Sequence, residues 1–170
     1  EEIAEGFKVF SGTKRRFQTK FRNENVWIVD DYAHHPEEVK ATLSTAKDVV
    51  KNQGNGKVIA IFQPHRYSRL SNLFNDFVDC FKDADELYIT EVYSAGEKEI
   101  PNYNSNSLID AILKKYPNFK VAVMRDADHA AKIIKEKSKS GDLVLMMGAG
   151  TITNIAAETS KKLSAEAVSA

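Results

Sequence analysis

The sequence predicts an α/β domain of about six strands, arranged as a Rossmann-like three-layer sandwich that is mostly parallel with one antiparallel strand. Two patterns support this prediction. Short apolar runs such as Val58–Phe62 alternate along the chain with longer segments whose apolar residues recur every three or four positions. Continuous apolar runs are typical of strands that helices cover on both faces, and this is the environment of a parallel sheet.

The amino-terminal elements predict a hairpin followed by a helix. Strands are expected at Phe17–Phe21 and Val26–Val29, and their short polar connection is typical of an antiparallel pair. A helix is expected over Pro36–Asn52. Proline is favoured at the first helical position, and the adjacent Glu37 and Glu38 complement the positive end of the helix dipole.

The remaining elements alternate between strand and helix. Apolar runs predict strands at Glu86–Val92, Phe119–Met124 and Leu143–Met147, in addition to Val58–Phe62. Helical spacing predicts helices over Leu70–Phe81, Leu108–Tyr116, Ala127–Lys139 and Ile152–Leu163. The domain is expected to span residues 1–163, with a helical start and a disordered tail over residues 164–170.

Composition limits the classes of function. Lys plus Arg number 24 and Asp plus Glu also number 24, and this zero net charge argues against nucleic-acid or membrane partners. The lone cysteine, Cys80, excludes an internal disulfide, and its apolar neighbours predict a packing role. No apolar run is long enough to span a bilayer, and the acidic start does not resemble a signal peptide, so a cytoplasmic location is expected.

Unusual polar residues follow the predicted strands. DDYAHHP (Asp30–Pro36) follows the second strand, and QPHRYSR (Gln63–Arg69) follows the third. Right-handed crossovers place the carboxyl ends of parallel strands at one edge of a sheet, where α/β proteins bind ligands. We therefore expect one anion-binding site at that edge. Other segments expected there are Tyr93–Glu97, Arg125–Asp126 and Gly148–Thr151.

The acidic and imidazole groups allow two interpretations each. Asp30 and Asp31 are adjacent, so they cannot form an acid–base pair across a substrate; one of them accepts hydrogen bonds from ligand hydroxyls or caps a turn. His34 and His35 have no second His or Cys pair at ligand spacing, which disfavours a metal site. A neutral imidazole that hydrogen-bonds a ligand is favoured, and a loop histidine that caps the next helix is the alternative.

The basic residues are interpreted by their spacing. Arg66 and Arg69 lie three positions apart at a predicted helix start, so with His65 they can form an anion site; a solvated basic turn is the alternative. The run Lys14–Arg16, taken alone, is typical of an exposed charge run. Gly148–Thr151 predicts a tight strand–helix turn. No G-x-x-x-x-G-K-[ST] phosphate loop occurs, so ATP cannot be bound in that mode.

Together, several motifs resemble the carboxyl-terminal domain of the Mur ligases. They are FSGTKRRFQ, DDYAHHPEEVKATL, FQPHRYSRL, the AGE of residues 95–97, and GAGTIT. The resemblance covers roughly residues 1–163, and FQPHRYSR is more similar to the alanine-adding members than to those that recycle tripeptides. A stand-alone nucleotide-binding or anion-binding module remains the alternative.

The resemblance implies a peptidoglycan-precursor ligase of three domains. This domain would close over a central ATPase domain, which would hold the missing phosphate loop, and would supply the amino-acid side of the site. The implied substrates are L-alanine, UDP-N-acetylmuramate and ATP, with Mg²⁺, and the implied intermediate is an acyl phosphate. The isolated domain would be inactive.

The resemblance also implies roles for individual residues. Arg16 would reach the ATP phosphates, and Asp31 would contact the nucleotide ribose. His35 would face the amino-acid or muramoyl end. The residues implied to lie near the alanine carboxylate and the substrate are His65, Arg66 and Arg69. No catalytic residue and no metal ligand is implied in this domain. The motifs also contain, without an implied role, Tyr32, His34 and Glu97.

Overall fold

The strands and helices are defined by a computed structural model that describes residues 15–54 and 56–167. In this part of the chain the strands are β1 (Gln18–Arg22), β2 (Val26–Asp31), β3 (Val58–Phe62), β4 (Glu86–Ile89), β5 (Val121–Val123) and β6 (Asp142–Met147). The helices are α1 (Pro36–Asn52), α2 (Tyr67–Asn72), α3 (Phe74–Asp79), α4 (Ser105–Lys115), α5 (Ala127–Lys137) and α6 (Ile152–Ala167).

The described strands form one sheet of 6 strands in the order β1-β2-β6-β3-β4-β5. β1 is antiparallel to β2, whereas all other neighbours are parallel, which confirms the predicted hairpin and fold class. β6 lies between β2 and β3. Met147 at its end pairs with both Asp31 and Phe62, so these three strands end at the same level. This shared end forms the floor of the candidate site.

Helices cover both faces of the sheet, and β6 shows how. Leu143, Leu145 and Met147 face one apolar cluster, in which α1, α3 and α4 pack on the sheet. Val144 and Met146 face the other cluster, in which α5 and α6 pack. All six residues of the strand are buried. Because side chains alternate across a strand, a continuous apolar run indicates burial on both faces, and the three-layer prediction is confirmed.

The prediction of one helix over Leu70–Phe81 is wrong. The segment forms α2 and α3, which meet at Leu73, where φ is −118° and ψ is 23°. The Leu73 N–H still donates to the Arg69 carbonyl at 3.1 Å. Leu70 and Phe77 remain buried on the same side of the sheet, so the apolar stripe survives the break and cannot reveal it.

The other boundaries differ by a few residues. β4 and β5 are shorter than predicted, and α6 continues past the predicted end at Leu163. In the added turn, the Ser164 hydroxyl donates to the Ser160 carbonyl at 2.8 Å. The helix therefore occupies the first residues of the segment in which the sequence predicts a tail. The predicted helical start, residues 1–10, lies outside the described part of the chain, as do residues 11–14 and 168–170.

Cys80 has the predicted packing role. It is buried, its Sγ donates to the Phe77 carbonyl at 3.4 Å, and burial raises the pKa of the thiol. Across residues 15–54 and 56–167, no helix combines the length and the apolar character that crossing a membrane requires.

Candidate functional site

Four aromatic rings join the loops at the carboxyl edge of the sheet. His34, in the loop after β2, lies 5.8 Å from His65, in the loop after β3, measured between ring centroids. His65 stacks at 5.3 Å on Tyr93, which follows β4, and His34 lies 5.2 Å from Tyr32. We call these side chains the four-ring row. The predicted convergence of the two polar motifs on one edge is confirmed.

The glycine turn after β6 lets the loops approach one another. Gly148 has φ 149°, and a Cβ there would lie 2.9 Å from the Gln63 carbonyl oxygen. A Cβ on Gly150 would lie 2.5 Å from Gln63 Oε1 and 2.6 Å from Tyr93 Cγ. Gln63 Oε1 accepts the Ile152 N–H at 3.0 Å, and Gln63 Nε2 donates to Thr151 Oγ1 at 3.1 Å. The predicted tight turn is confirmed, and Gln63 ties it to β3.

His65 and Arg69 form one hydrogen-bonded unit. Arg69 Nη1 lies 3.0 Å from His65 Nδ1 and also donates to the His65 carbonyl at 3.1 Å. A guanidinium can only donate, so His65 Nδ1 accepts and the neutral ring carries its proton on Nε2. Burial lowers the pKa of His65, and the charges of Arg69, His34 and Arg66 lower it further. His65 therefore offers a neutral N–H donor beside a fixed cation.

Acidification is expected to destabilise the domain partly through His65. Its folded-state pKa lies below the ordinary value of 6.5, so the unfolded chain takes up the proton first as pH falls. Urea midpoints measured at about pH 7.5 and about pH 5.5 should differ more in the wild type than in His65→Asn. Asn106→Ala, an exposed and non-titrating position of α4, serves as the control and should behave like the wild type. If the urea midpoints of wild type and His65→Asn depended equally on pH, the lowered pKa of His65 in the folded state would be contradicted.

Glu97 orients Arg66. Arg66 Nη1 lies 3.4 Å from Glu97 Oε1, and its guanidinium is half exposed. Glu97 Oε2 accepts the Ser68 N–H at 2.9 Å and Oε1 accepts the Ser68 hydroxyl at 2.8 Å. These hydrogen bonds from Ser68, together with the charge of Arg66, lower the pKa of Glu97. Glu97, which the sequence left without a role, thus caps the start of α2 and holds the arginine before it.

The two arginines of QPHRYSR have different partners. Arg66 precedes α2 with φ 69°, and its N–H donates to the Tyr93 carbonyl at 2.8 Å. Arg69, in the last turn of α2, folds back onto His65. Helical spacing predicts a shared face, but Arg66 stands outside the helix. The structure brings both arginines to the same loop, next to the four-ring row.

Asp31 holds backbone groups together. It is only 4% exposed. Its Oδ2 accepts the Phe17 N–H at 2.7 Å, and its Oδ1 accepts the Ala33 N–H at 2.8 Å. The hydroxyl of Thr42 lies 3.5 Å from Oδ1. This arrangement matches the turn-capping alternative, and the ribose contact stays a prediction.

Replacing Asp31 by alanine is expected to lower the free energy of unfolding by about 1–3 kcal/mol, because it leaves two backbone N–H groups without their acceptor. Urea denaturation of this chain measures the change. Asp110→Ala, at an exposed position of α4, is the matched control and should change stability by about 0.5 kcal/mol or less. An Asp31→Ala variant with the free energy of unfolding of the wild type would show that the turn does not depend on the carboxylate.

His34 and His35 occupy the start of α1. Glu38 Oε2 accepts the N–H groups of His34 at 3.1 Å and His35 at 3.3 Å. Burial raises the pKa of Glu38, but these two backbone N–H groups and the charges of His34 and Arg16 outweigh it, so the pKa is lowered overall. His34 Nδ1 lies 2.9 Å from the Tyr32 carbonyl. His35 is exposed at the N-cap position, and its substrate contact stays a prediction.

Arg15 is the residue that sequence reasoning missed. Its Nη2 donates to the Gly148 carbonyl, and its guanidinium lies 4.7 Å from the centroid of Tyr32. Its Nε is 3.8 Å from Oδ2 of Asp30, which is fully buried. The predicted exposed charge run at Lys14–Arg16 is therefore wrong for Arg15 and right for Arg16. Lys14 lies outside the described residues. A buried aspartate needs a cationic partner, and this requirement was the available signal.

The same charge cluster includes Lys20 and Thr153. Lys20 Nζ lies 3.3 Å from Asp30 Oδ2, and the Thr153 hydroxyl donates to that oxygen at 2.6 Å. Asp30 thereby joins β1, the segment before it and α6. Among the described residues, no group of three or more His, Cys, Asp or Glu side chains could hold a metal ion.

Comparison with known proteins identifies the family. The family model for the Mur ligase, glutamate ligase domain, matches residues 15–150. The chain belongs to the Mur ligase family. The matched range contains the four-ring row, Arg15, Arg16, Gly148 and Gly150. The family model therefore covers these residues of the described site.

Relatives of this Mur ligase domain are longer proteins. It is 50% identical over 167 residues to the UDP-N-acetylmuramate–L-alanine ligase of Rickettsia rickettsii (strain Sheila Smith), covering 98% of this chain and 34% of that protein. The crystal structure of a UDP-N-acetylmuramate–alanine ligase from Thermotoga maritima matches with a TM-score of 0.72 and 28% identity, over 96% of this chain and 33% of that one. The Mur ligase domain thus spans about a third of these relatives.

A separately crystallised domain has the same fold. It comes from a putative UDP-N-acetylmuramate:L-alanyl-gamma-D-glutamyl-meso-diaminopimelate ligase of Haemophilus ducreyi, with a TM-score of 0.60 and 21% identity. The match covers 87% of this Mur ligase domain and 99% of that chain. A polypeptide of this extent can therefore form the fold without further domains.

Proposed function

We propose that this chain is the closing, amino-acid-binding domain of a UDP-N-acetylmuramate–L-alanine ligase. The proposal is carried by one observation: a neutral His65 N–H and the guanidinium groups of Arg66 and Arg69 lie together on a rim formed by the ends of three strands. Such a set of donors suits a carboxylate. The 50% identity to ligases that bear this name supports L-alanine as the amino acid whose carboxylate is held.

The proposed reaction joins the muramate carboxylate to the amine of L-alanine through an acyl phosphate. ATP with Mg²⁺ supplies the phosphoryl group when bound, mainly on a central domain that lies outside this chain. Arg16 suits a role at the phosphates because it is an exposed cation at the same edge. Asp31 suits the ribose less well, because it is almost fully buried and already holds two backbone N–H groups.

Domain closure gives these groups their effect. Negative charge is present on phosphate and carboxylate oxygens as the amine attacks, and fixed guanidinium groups stabilise such charge best where water is excluded. Arg69 is held by His65, and the half-exposed Arg66 lies 3.4 Å from Glu97. Closing this domain over the ATPase domain would bring the amine of L-alanine onto the acyl phosphate in an oriented way.

A domain exchange tests the proposal. The matching third of the Rickettsia rickettsii ligase is replaced by this chain, and phosphate release is measured with ATP and Mg²⁺. Turnover that requires both L-alanine and UDP-N-acetylmuramate is expected, and this chain alone should release no phosphate. A folded hybrid that is inactive with L-alanine would refute the proposal. A hybrid that accepts only a tripeptide would instead indicate the recycling activity.

A further inference from the structure

We propose that Arg15 is a positioning residue that fixes the direction of Arg16. The inference rests on the proposed function only in giving Arg16 a place at the ATP phosphates. The anchored turn at residues 15–17 is itself a feature of this chain. Arg15 and Phe17, on either side of Arg16, both have left-handed backbone conformations, with φ 60° and φ 46°. Residues other than glycine rarely adopt this conformation unless their surroundings enforce it.

Arg15 is held from three directions. Its side chain donates to the Gly148 carbonyl after β6 and lies beside the buried carboxylate of Asp30 in β2. Its guanidinium covers the ring of Tyr32 at 4.7 Å. Its own carbonyl accepts the Tyr32 N–H at 2.7 Å. Arg15 thus attaches the turn to the ends of two central strands.

Phe17 is held separately on the other side of Arg16. Its N–H donates to Asp31 Oδ2 at 2.7 Å, and its ring meets Trp27 edge-on at 6.0 Å. Both neighbours of Arg16 are therefore anchored, while Arg16 itself is exposed. The two aspartates of the DDYAHHP motif therefore hold different neighbours of Arg16: Asp30 pairs with Arg15, and Asp31 accepts the N–H of Phe17.

This arrangement assigns Arg15 an indirect effect on the reaction. A loose turn would let Arg16 sample many directions, and a displacement of about 1 Å can lower a rate about 100-fold. The fixed turn removes that freedom before the nucleotide arrives. Arg15 itself is directed inward: its Nη2 donates to the Gly148 carbonyl, and its Nε lies 3.8 Å from Asp30 Oδ2.

The first test is hydrogen exchange on this chain without ligand. Arg15→Gln should increase exchange at the N–H groups of Phe17 and Tyr32 about tenfold or more, while the amides of β6 remain protected. Should Arg15→Gln fail to fold, the double variant Arg15→Gln/Asp30→Asn removes both charges together and is read in the same way. Unchanged exchange at both amides would show that Arg15 does not anchor the turn at residues 15–17, and it would overturn the proposal whatever the function of the chain.

The second test is a double-mutant cycle in the active hybrid or full-length ligase. Arg15→Gln and Arg16→Gln should each lower kcat/KM for ATP about 10- to 100-fold, and the double variant should be no worse than Arg16→Gln alone. Arg15→Lys, which keeps the charge beside Asp30, should retain more activity than Arg15→Gln. Additive losses would show that Arg15 acts independently of Arg16 and would overturn the proposal. A wild-type protein without ligase activity would refute the proposed function instead. The hydrogen-exchange test would then decide alone whether Arg15 anchors the turn.

Discussion

Replacing Arg69 by glutamine in the full-length ligase is expected to lower kcat/KM for L-alanine about 100-fold, mainly through a higher KM. The substitution removes a cation that His65 holds in place at 3.0 Å. Under the proposed function, the alanine carboxylate would then lack a charged partner. Losing one member of a desolvated charge pair typically costs about 2–5 kcal/mol. Steady-state kinetics with varied L-alanine at saturating ATP measure the effect.

Two variants separate this effect from general damage to the fold. Arg69→Lys keeps the charge but loses the planar fork, so it should recover only part of the affinity. Lys132→Gln removes an exposed cation of α5, away from the carboxyl edge of the sheet, and should leave the kinetics unchanged. Kinetics that are the same in Arg69→Gln and wild type would indicate that the basic turn is only a solvated surface.

Phe62→Ala is expected to lower the free energy of unfolding by about 3–5 kcal/mol. Phe62 ends β3 directly before the QPHRYSR loop, is fully buried, and lies 5.5 Å from the Phe77 ring and 5.2 Å from the Phe81 ring. Truncation would remove this aromatic packing and leave a cavity beneath the site. Equilibrium denaturation of this chain, with the denaturant dependence compared between variants, measures the loss.

The matched control is Phe119→Ala. Phe119 packs at the margin of the same cluster and is only partly buried, so its truncation should cost clearly less than that of Phe62. Equal losses at the two positions would contradict the assignment of Phe62 to the core. A cost near zero at Phe62 would mean that the end of β3 can rearrange freely and does not provide a packed floor for the site.

The sequence predicted well those features that depend on local patterns. Burial of β3 on both faces makes Val58–Phe62 a continuous apolar run, and the proline and glutamates at its start mark α1, so both elements were predicted at their observed bounds. Strand-end chemistry likewise predicted the meeting of DDYAHHP and QPHRYSR, because parallel strands share one functional edge. The contact between His34 and His65 confirms that expectation.

Features that depend on distant contacts were not predictable in this way. Leu73 breaks a helix without glycine or proline, and the apolar spacing continues across the break. Arg15 has the same local sequence context as Arg16, and contacts with later residues, including the buried Asp30 and the Gly148 carbonyl, turn it inward. Position in the sheet is also non-local, since no pattern within β6 states that it lies between β2 and β3.

The central place of β6 has a consequence for how the protein is made. Among the strands of the described residues β6 comes last along the chain, yet β2 and β3 pair with it rather than with each other. While the ribosome has not yet delivered residues 142–147, these two strands each lack a neighbour and expose backbone groups that can pair with other chains. Assembly of the sheet must therefore await the synthesis of residues 142–147. Premature termination before Asp142 should yield aggregated product rather than a smaller working domain.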